Sequence, residues 1–236
     1  MDIKKLSIII PCYNEKNTIE KIVDKVLDVD LGKIEKEIII VDDASTDETV
    51  QVLKTKVESR VSIVIFKDKN TGKGSAVRIG FENAKGDCII IQDADLEYDP
   101  NDYGILLQPI IDGFADVVYG SRFIGGRPHR ILFCWHSVGN KFLTNFLNIF
   151  TNLNLTDALT CYKVFKKEII NKINLEENGF GVDTEITAKI SRLKCRIYEV
   201  GISYYGRTYK EGKKINWKDG IRIIYVILKY GLFKRR

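Results

Sequence analysis

The sequence predicts an α/β protein with a Rossmann-like, mostly parallel sheet and helices on both of its faces. The first observation is a series of short, β-branched apolar runs bounded by turn residues, at 6–10, 37–41, 61–66, 88–91 and 116–119. The second is that segments with helical periodicity lie between these runs, at 18–29, 47–57, 75–84 and 102–111. Strands that alternate with helices form βαβ units, whose strands run parallel and whose helices cover the sheet.

The pattern changes after Gly120, where strict alternation stops. A stretch with Gly, Arg and Pro is followed by a helical segment, a short strand near 161–165 and two later helices. No linker or internal repeat separates these parts, so we interpret residues 1–236 as one domain with sections at 1–120, 121–206 and 207–236. Asn17 and Ser45 precede two of the helical segments and are expected to cap them.

Length and composition exclude several classes of protein. A chain of 236 residues with 44% hydrophobic content is long enough to bury a core and is not disordered. The longest apolar stretch, 221–233, contains Arg222 and Lys229 and falls short of the ~20 apolar residues that span a bilayer. The apolar run before Pro11 is too short for a secretory signal, so we expect a cytoplasmic protein.

The positive charge is concentrated at the end of the sequence. The whole chain carries +5, but 207–236 holds ten Lys and Arg against Glu211 and Asp219. This segment is also amphipathic from Trp217 onward. A second apolar helical face follows Asn140 and comprises Phe142, Leu143, Phe146, Leu147, Phe150 and Leu153, with Lys141, Thr144, Asn145, Asn148 and Asn152 opposite.

Two interpretations of these basic and apolar faces remain open. A basic segment on a mildly acidic body is typical of contact with a polyanionic surface, either phospholipid headgroups or nucleic acid, or it is simply solvated. The apolar faces either pack on the core or lie in part on a bilayer.

Three of the predicted strands run directly into acidic residues at their carboxyl ends. Glu15 follows the first strand, Asp42 and Asp43 the second, and Asp93 and Asp95 the fourth. Ligands of parallel sheets bind at this edge, and gathered like charges need a cation or hydrogen-bond donors. The Asp-Ala-Asp step therefore predicts a site for Mg²⁺ or Mn²⁺, with Glu97 as a third oxygen ligand.

A glycine-rich turn at 72–75 resembles two phosphate-binding loops but matches neither. Lys67 occupies the position of the first glycine of a P-loop, and Val77 that of the third glycine of a dinucleotide fingerprint. The turn still opens a helix after a strand. Its N–H groups and Lys73 therefore either bind phosphate or form an ordinary helix start.

Five motifs in order give the sequence a recognisable resemblance. They are Ser7-Ile8-Ile9-Ile10-Pro11-Cys12-Tyr13-Asn14-Glu15, Val41-Asp42-Asp43-Ala44-Ser45-Thr46-Asp47, Asn70-Thr71-Gly72-Lys73-Gly74, Gln92-Asp93-Ala94-Asp95-Leu96-Glu97 and Gly120-Ser121-Arg122-Phe123. The set resembles family 2 glycosyltransferases of the GT-A fold, particularly dolichyl-phosphate mannose synthases and related polyprenyl-phosphate sugar transferases. The resemblance implies a nucleotide-sugar-binding half at 1–120, an acceptor half at 121–206 and a basic amphipathic tail at 207–236.

The resemblance also implies roles for individual residues. The implied donor-binding residues are Pro11, Tyr13, Glu15, Asp42, Asp43, Lys73, Asp93, Arg207 and Lys213. The implied metal ligands are Asp93, Asp95 and Glu97, the last where such enzymes commonly carry glutamine. Arg122 is expected to meet phosphate and, with Asp95, Asp183 and Glu185, to be catalytic. Arg130 and Ser137 are candidates for the acceptor phosphate, with Arg127 as a competitor because the spacing after Arg122 differs from that in the synthases.

The resulting hypothesis is an inverting, metal-dependent transfer of a hexose from a GDP- or UDP-linked sugar to a polyprenyl phosphate. The protein would then lie peripherally on the cytoplasmic face of a membrane. Transfer to a carbohydrate or glycolipid hydroxyl is the alternative, and it needs a base such as Asp183, Glu185 or Asp157.

Two functions outside this family are disfavoured. A sugar-nucleotide nucleotidyltransferase would carry a glycine-rich, arginine-bearing loop after the first strand, which is missing here. A nucleic-acid partner would explain the basic tail but not carboxylates at three strand ends, so we expect none.

Overall fold

A seven-stranded sheet forms the centre of the molecule in the computed structural model, which describes residues 2–131, 133–208, 211–212, 214 and 217–233, the side chains of Leu232 and Phe233 excepted. The strands are β1 (Lys5–Cys12), β2 (Glu35–Asp42), β3 (Ile63–Phe66), β4 (Cys88–Ile91), β5 (Val117–Ser121), β6 (Lys163–Lys166) and β7 (Ile197–Gly201). Their order is β3-β2-β1-β4-β6-β5-β7. Strand β6 is antiparallel to both neighbours, and the other described pairs are parallel.

The central strands are buried on both faces, which explains their continuous apolar sequences. Ile8 of β1 lies opposite Ile38 of β2 and Ile90 of β4, and all three side chains are buried. The five strands predicted from such runs end within two residues of the observed strands. The prediction of a mostly parallel α/β sheet is therefore confirmed.

Helices cover both faces of this sheet. The α-helices are α1 (Ile19–Asp28), α2 (Thr49–Val52), α3 (Lys73–Asn83), α4 (Tyr103–Ile111), α5 (Cys134–Thr151), α6 (Lys167–Ile170), α7 (Val182–Ile190) and α8 (Trp217–Leu228). The segment predicted as one helix at 47–57 is instead α2 followed by a wider π-helical turn, Leu53–Val57. A second π-helical turn, Lys229–Phe233, follows α8.

The predicted helix caps are wrong. Neither α1 nor α2 has a side-chain cap. The Ser45 hydroxyl donates to Asp42 at 2.5 Å and accepts the Asn14 N–H at 2.9 Å. Ser45 therefore ties the ends of β1 and β2 together rather than starting a helix.

The amphipathic tail is part of the folded domain. Helix α8 packs against α5 and α7, and Val226, Ile227 and Tyr230 are fully buried there. Arg222 binds the buried Glu177 at 2.8 Å. The described part of the chain contains no helix with the length and apolar character needed to cross a bilayer.

Helix α5 differs from the predicted amphipathic pattern. Leu147 is buried as expected. Thr144, which was assigned to the polar face, is buried too, and its hydroxyl accepts the Ala158 N–H there. Phe142, which belongs to the predicted apolar face, is exposed. The apolar face of α5 is therefore only partly used in the core.

Candidate active site

A cavity of about 940 Å³ opens at the carboxyl ends of β1, β2 and β4, where ligands of parallel sheets bind. Six carboxylates line it, and we call them the acidic wall: Glu15, Asp43, Asp93, Asp95, Glu97 and Asp183. Four exposed apolar side chains also line it, and we call them the apolar rim: Ile131, Phe133, Trp135 and Trp217. One cavity thus combines charged and apolar surfaces.

Asp93 is held by the lysine that opens α3. The Lys73 Nζ lies 2.7 Å from Asp93 Oδ1, and both side chains are mostly buried. Burial opposes the charged form of Asp93, but the Lys73 ammonium outweighs it and lowers the pKa of this carboxyl. The contact brings a predicted metal ligand and a predicted phosphate ligand together.

Asp95 is paired with Arg207, which arrives from the chain after β7. The Arg207 Nη2 lies 2.8 Å from Asp95 Oδ2 and 3.3 Å from Glu15 Oε1. Burial, together with the charges of Asp93 and Glu97, raises the pKa of Asp95 to about 7 despite this pairing. Arg207 therefore only partly offsets the burial and the like charges that oppose ionisation of Asp95.

The predicted third metal ligand, Glu97, is engaged elsewhere. Its Oε2 accepts the Tyr204 hydroxyl at 2.9 Å, and its Oε1 accepts the Arg207 backbone N–H at 2.7 Å. Glu97 therefore fastens the chain after β7 to the loop after β4. Glu97 also carries a negative charge that a glutamine would lack, and this charge raises the pKa of Asp95.

The two carboxylates after β2 have separate positions. Asp43 lines the cavity, where it binds Lys67 and accepts the backbone N–H groups of Thr71 and Gly72 at 3.1 and 2.7 Å. Asp42 lies behind the wall and accepts from Ser45. Asp42, predicted to bind the donor, is therefore not among the lining residues, whereas Asp43 lines the cavity together with Pro11, Tyr13 and Glu15.

The glycine-rich turn that opens α3 packs closely against the backbone at 177–178. The Ser75 N–H donates to the carbonyls of Gly72 and Asn178 at 3.1 and 3.2 Å. A Cβ at Gly72 would lie 2.4 Å from the Asn178 oxygen, and one at Gly74 2.2 Å from the Glu177 oxygen. Glycine is needed at both positions because the backbone of Glu177 and Asn178 occupies the space that a side chain would need.

Arg122 forms a forked ion pair at the cavity wall. Its Nε and Nη2 lie 2.6 and 2.8 Å from the two oxygens of Asp157, which is fully buried. The guanidinium also lies 5.1 Å from the centre of the Tyr204 ring. Asp157, considered as a base from the sequence, instead holds Arg122 in place.

The structure separates the two predicted catalytic carboxylates at the start of α7. Asp183 lines the cavity, 2.7 Å from Lys163 and 3.9 Å from Lys73. Glu185 lies outside the cavity and is fully buried, where it accepts the backbone N–H groups of Glu176 and Glu177 and binds Lys189 at 2.6 Å. The prediction of a catalytic Glu185 is therefore corrected, because no substrate can reach its carboxylate.

The structure also separates the acceptor-site candidates. Arg130 and Ser137 line the cavity, and Arg130 binds Glu211 at 2.8 Å. Arg127 is not among the lining residues and points toward Asp102, 4.0 Å away. Lys213, a predicted donor ligand, lies outside the described residues.

Sequence reasoning assigned no site role to three lysines that bind carboxylates of the acidic wall: Lys67, Lys163 and Lys214. Lys67 directly follows β3, so the rule that selected acidic residues at strand ends would have found it too. Lys163 lies within β6 and is fully buried. A lysine inside an apolar strand signals a buried partner, here Asp183.

The donor set fits a magnesium-type ion bound mainly through substrate. No group of three or more His, Cys, Asp or Glu side chains among the described residues surrounds a common point. Mg²⁺ usually takes one or two carboxylates together with water and phosphate oxygens, and it does not need a protein cage. Asp95 and Asp93, both on the cavity wall, carry hard oxygen atoms of this kind and would hold such an ion.

Comparison with known proteins identifies the family. The model of glycosyl transferase family 2 matches residues 7–173. In fold, the chain resembles glucosyl-3-phosphoglycerate synthase of Mycobacterium tuberculosis in complex with Mn²⁺, UDP and phosphoglyceric acid. The TM-score is 0.75 at 18% identity, over 97% of this chain and 79% of that one. The chain therefore belongs to glycosyl transferase family 2 and has the GT-A fold, as its motifs predicted.

Two relatives resemble the chain in sequence. The dolichol-phosphate mannosyltransferase of Pyrococcus furiosus is 30% identical over 233 residues, which cover 96% of this chain and 64% of that protein. The undecaprenyl-phosphate mannosyltransferase of Micrococcus luteus is 28% identical over 240 residues, which cover 96% and 94%. The chain thus spans less than two thirds of several curated relatives that it matches.

Proposed function

We propose that the protein transfers a hexose from a nucleotide-diphosphate sugar to a polyprenyl phosphate at a membrane surface, with the help of Mg²⁺ or Mn²⁺. The observation that carries this proposal is the joining of the acidic wall and the apolar rim in one cavity. The acidic wall with its basic partners can hold the cations that an anionic donor needs, and the apolar rim can hold a lipid. The names of the two mannosyltransferase relatives support the same acceptor class.

The donor side of the proposal rests on the acidic wall and its cations. Arg207, Lys73 and Arg122 all line the cavity and are suited to bind a diphosphate. The Arg207 Nε is buried and has no hydrogen-bond partner among the described groups. A buried N–H without a partner is costly, and a phosphate oxygen would satisfy it.

The acceptor side rests on the rim and on the basic residues below it. Trp135 and Trp217 are 82% and 72% exposed, although exposed tryptophan is unusual in a folded chain. Arg130 and Ser137 line the same cavity and provide donors for a phosphate. A phosphate at these residues with its apolar chain along the rim would satisfy both surfaces.

The proposed reaction is a single displacement at the anomeric carbon. An acceptor phosphate oxygen forms the new bond to that carbon, while the bond to the diphosphate breaks and the nucleoside diphosphate leaves with the electron pair. A divalent metal at Asp95, when bound, supplies positive charge that stabilises this leaving group. Arg122, fixed by Asp157, donates N–H groups toward the developing negative charge.

An anionic acceptor is favoured over a hydroxyl by the state of Asp183. A hydroxyl acceptor needs a base at the cavity, and Asp183 is the predicted base that lines it. Its Oδ1 accepts from Lys163, and its Oδ2 faces Lys73. Both oxygens are thus directed to lysines, whereas a phosphate acceptor is already ionised and needs no base.

A donor-panel assay tests the proposal. Purified protein is incubated with GDP- and UDP-linked hexoses, Mg²⁺ or Mn²⁺ and a short polyprenyl phosphate, and the lipid-linked sugar and free nucleoside diphosphate are measured. The expected result is one preferred donor, equal amounts of both products and no turnover in EDTA. Transfer to a water-soluble sugar hydroxyl, with none to polyprenyl phosphate, would support the alternative acceptor.

A further inference from the structure

The Arg207 guanidinium lies in the acidic wall within 4.0 Å of three carboxylates. Its Nη2 lies 2.8 Å from Asp95 and 3.3 Å from Glu15, and its Nε lies 3.7 Å from Glu97. The side chain is only 16% exposed. One guanidinium therefore serves three carboxylates that come from the ends of two different strands.

The geometry shows that Arg207 is shared among these groups and does not complement any one of them. Arg122 provides the comparison, since it makes two short parallel bonds to Asp157 at 2.6 and 2.8 Å. Arg207 makes one short side-chain bond, to Asp95, and its contacts with Glu15 are 3.3 and 3.4 Å. Its Nε makes no hydrogen bond to any described group. Arg122 is held in place, whereas Arg207 is poised to exchange partners.

A divalent metal and the Arg207 guanidinium would bind the same carboxylate oxygens, those of Asp95. Asp95 is the carboxylate that Arg207 binds most closely, and it is also the principal protein ligand expected for the metal. Two cations at one carboxylate repel each other, so binding of one disfavours the other. The incoming diphosphate offers Arg207 a new anionic partner.

We propose that Arg207 is an internal competitor of the metal. In the ligand-free protein Arg207 pairs with Asp95, and when the metal binds to Asp95 the guanidinium moves to the donor diphosphate. This inference rests on the proposed function, because it requires a divalent metal at Asp95. It makes metal and diphosphate binding cooperative, since each ligand removes an obstacle to the other. Such coupling is reciprocal and typically amounts to a factor of about 5 to 150.

Replacement of Arg207 should have opposite effects on the two ligands. In Arg207→Met, calorimetric titration with Mn²⁺ alone should give a dissociation constant about tenfold lower than in the wild type. Titration with UDP or GDP at saturating Mn²⁺ should give a constant about tenfold higher for whichever nucleotide the wild type binds. A residue with a purely structural role would weaken both ligands together.

Lys214→Met is the matched control for loss of one positive charge. Lys214 binds Glu15 at 2.6 Å, yet the structure gives it no ion pair with Asp95. Its replacement should change the Mn²⁺ dissociation constant less than about threefold, because it leaves Asp95 occupied by Arg207. Equal tightening in both variants would mean that net charge alone matters, and the inference would be rejected.

A second variant protects the test from a folding defect. Arg207→Lys keeps the charge but cannot reach several carboxylates with a planar fork, so its Mn²⁺ affinity should lie between those of the wild type and Arg207→Met. Melting temperatures with and without Mn²⁺ check that each variant is folded. Unchanged or weaker Mn²⁺ binding in the folded Arg207 variants would overturn the inference. The absence of Mn²⁺ binding in the wild type and in both Arg207 variants would overturn it as well. The donor-panel assay reports separately on the proposed transfer.

Discussion

The acidic wall and the apolar rim line the same cavity but differ in their contacts with the rest of the protein. The charges of the wall are paired with basic side chains of the protein, whereas the apolar side chains of the rim are not buried by it. Each carboxylate of the wall has a basic side chain within 4 Å: Lys214 and Arg207 for Glu15, Lys67 for Asp43, Lys73 for Asp93, Arg207 for Asp95 and Glu97, and Lys163 for Asp183. The rim side chains remain exposed to water. Ligands at the wall must therefore exchange ion pairs, whereas a ligand at the rim only has to cover apolar surface.

The difference changes how the basic tail is understood. Among the residues of 207–236 that the structure describes, four basic side chains bind acidic side chains elsewhere in the chain: Arg207, Lys214, Arg222 and Lys229. Their charge is neutralised inside the protein and contributes little to attraction toward an anionic surface. Membrane contact should therefore depend on the rim more than the charge of 207–236 suggests.

The largest effect is expected at the wall, from Asp95→Asn. Loss of one metal ligand should lower turnover by at least about 10²-fold with little change in melting temperature, because Asp95 lines a cavity and not the core. Asp116→Asn is the control, since Asp116 binds Lys166 and Arg196 at the amino-terminal end of β5. It should lower the free energy of unfolding but leave turnover unchanged. Full activity of Asp95→Asn, or of the wild type in EDTA, would remove the metal from the mechanism.

Arg122→Ala should lower turnover by about 10²-fold, the scale observed when one preorganised donor to developing charge is lost. The structure adds a second expectation, because the substitution leaves Asp157 buried and unpaired. Breaking a buried pair in this way costs about 3–5 kcal/mol of stability. Calorimetric unfolding and steady-state kinetics of Arg122→Ala and of Arg122→Ala/Asp157→Ala separate the two effects. The double variant should regain stability but not turnover, and recovery of turnover would disprove a direct role for Arg122.

Asp183 and Glu185 should respond differently to loss of charge. Asp183→Asn changes the cavity wall and breaks the pairing with Lys163, so turnover should fall by about tenfold or more. Glu185→Gln removes a buried acceptor of backbone N–H groups, so the free energy of unfolding should fall by about 1–3 kcal/mol while turnover of the folded protein stays the same. Kinetics and denaturant unfolding test the pair. A catalytic defect in stable Glu185→Gln protein would restore that residue as a catalytic candidate.

A smaller effect is expected from the rim in vesicle binding. Deletion from Trp217 onward is not a suitable test, because it removes Val226, Ile227 and Tyr230 from the core. Trp135→Ser/Trp217→Ser should instead reduce sedimentation with anionic vesicles severalfold, since interfacial binding scales with buried apolar area. Phe114→Ser is the control, because Phe114 is also exposed but is not among the residues that line the cavity. Equal binding by wild type and the double variant would exclude the rim as a membrane contact.

The smallest effect is the pH dependence of the Asp116 cluster. Hydrogen bonds from Arg196, and then from Lys166, lower the pKa of Asp116 in the folded protein. A carboxyl group with a lowered folded pKa contributes stability above its unfolded pKa of about 3.9 and loses that contribution as the pH falls through the folded pKa. The difference in free energy of unfolding between wild type and Asp116→Asn should therefore shrink from pH 6 toward pH 3. A constant difference would show that the ion pairs do not produce it.

The strands and the strand-end carboxylates could be predicted from the sequence because each depends on residues that are close together in the chain. Strands such as β4 were found because a buried strand must be continuously apolar, and this requirement is visible in four consecutive residues. Asp43, Asp93 and Asp95 were placed at the cavity because parallel strands bring their carboxyl ends to one edge. The prediction failed for Asp42 because adjacent residues of a strand point in opposite directions, and the sequence does not show which one faces the cavity.

By itself, the sequence determined the α/β class, the family and the edge of the sheet at which charged residues gather. These follow from periodicity, strand order and motif spacing, which are properties of neighbouring residues. Only the tertiary structure decided the partners of each charge. Arg207 lies 112 residues from Asp95, and Arg122 lies 35 residues from Asp157. Ion pairing depends on distances of a few ångströms between groups remote in the chain, so the division between a held Arg122 and an exchangeable Arg207 emerges only when the chain is folded.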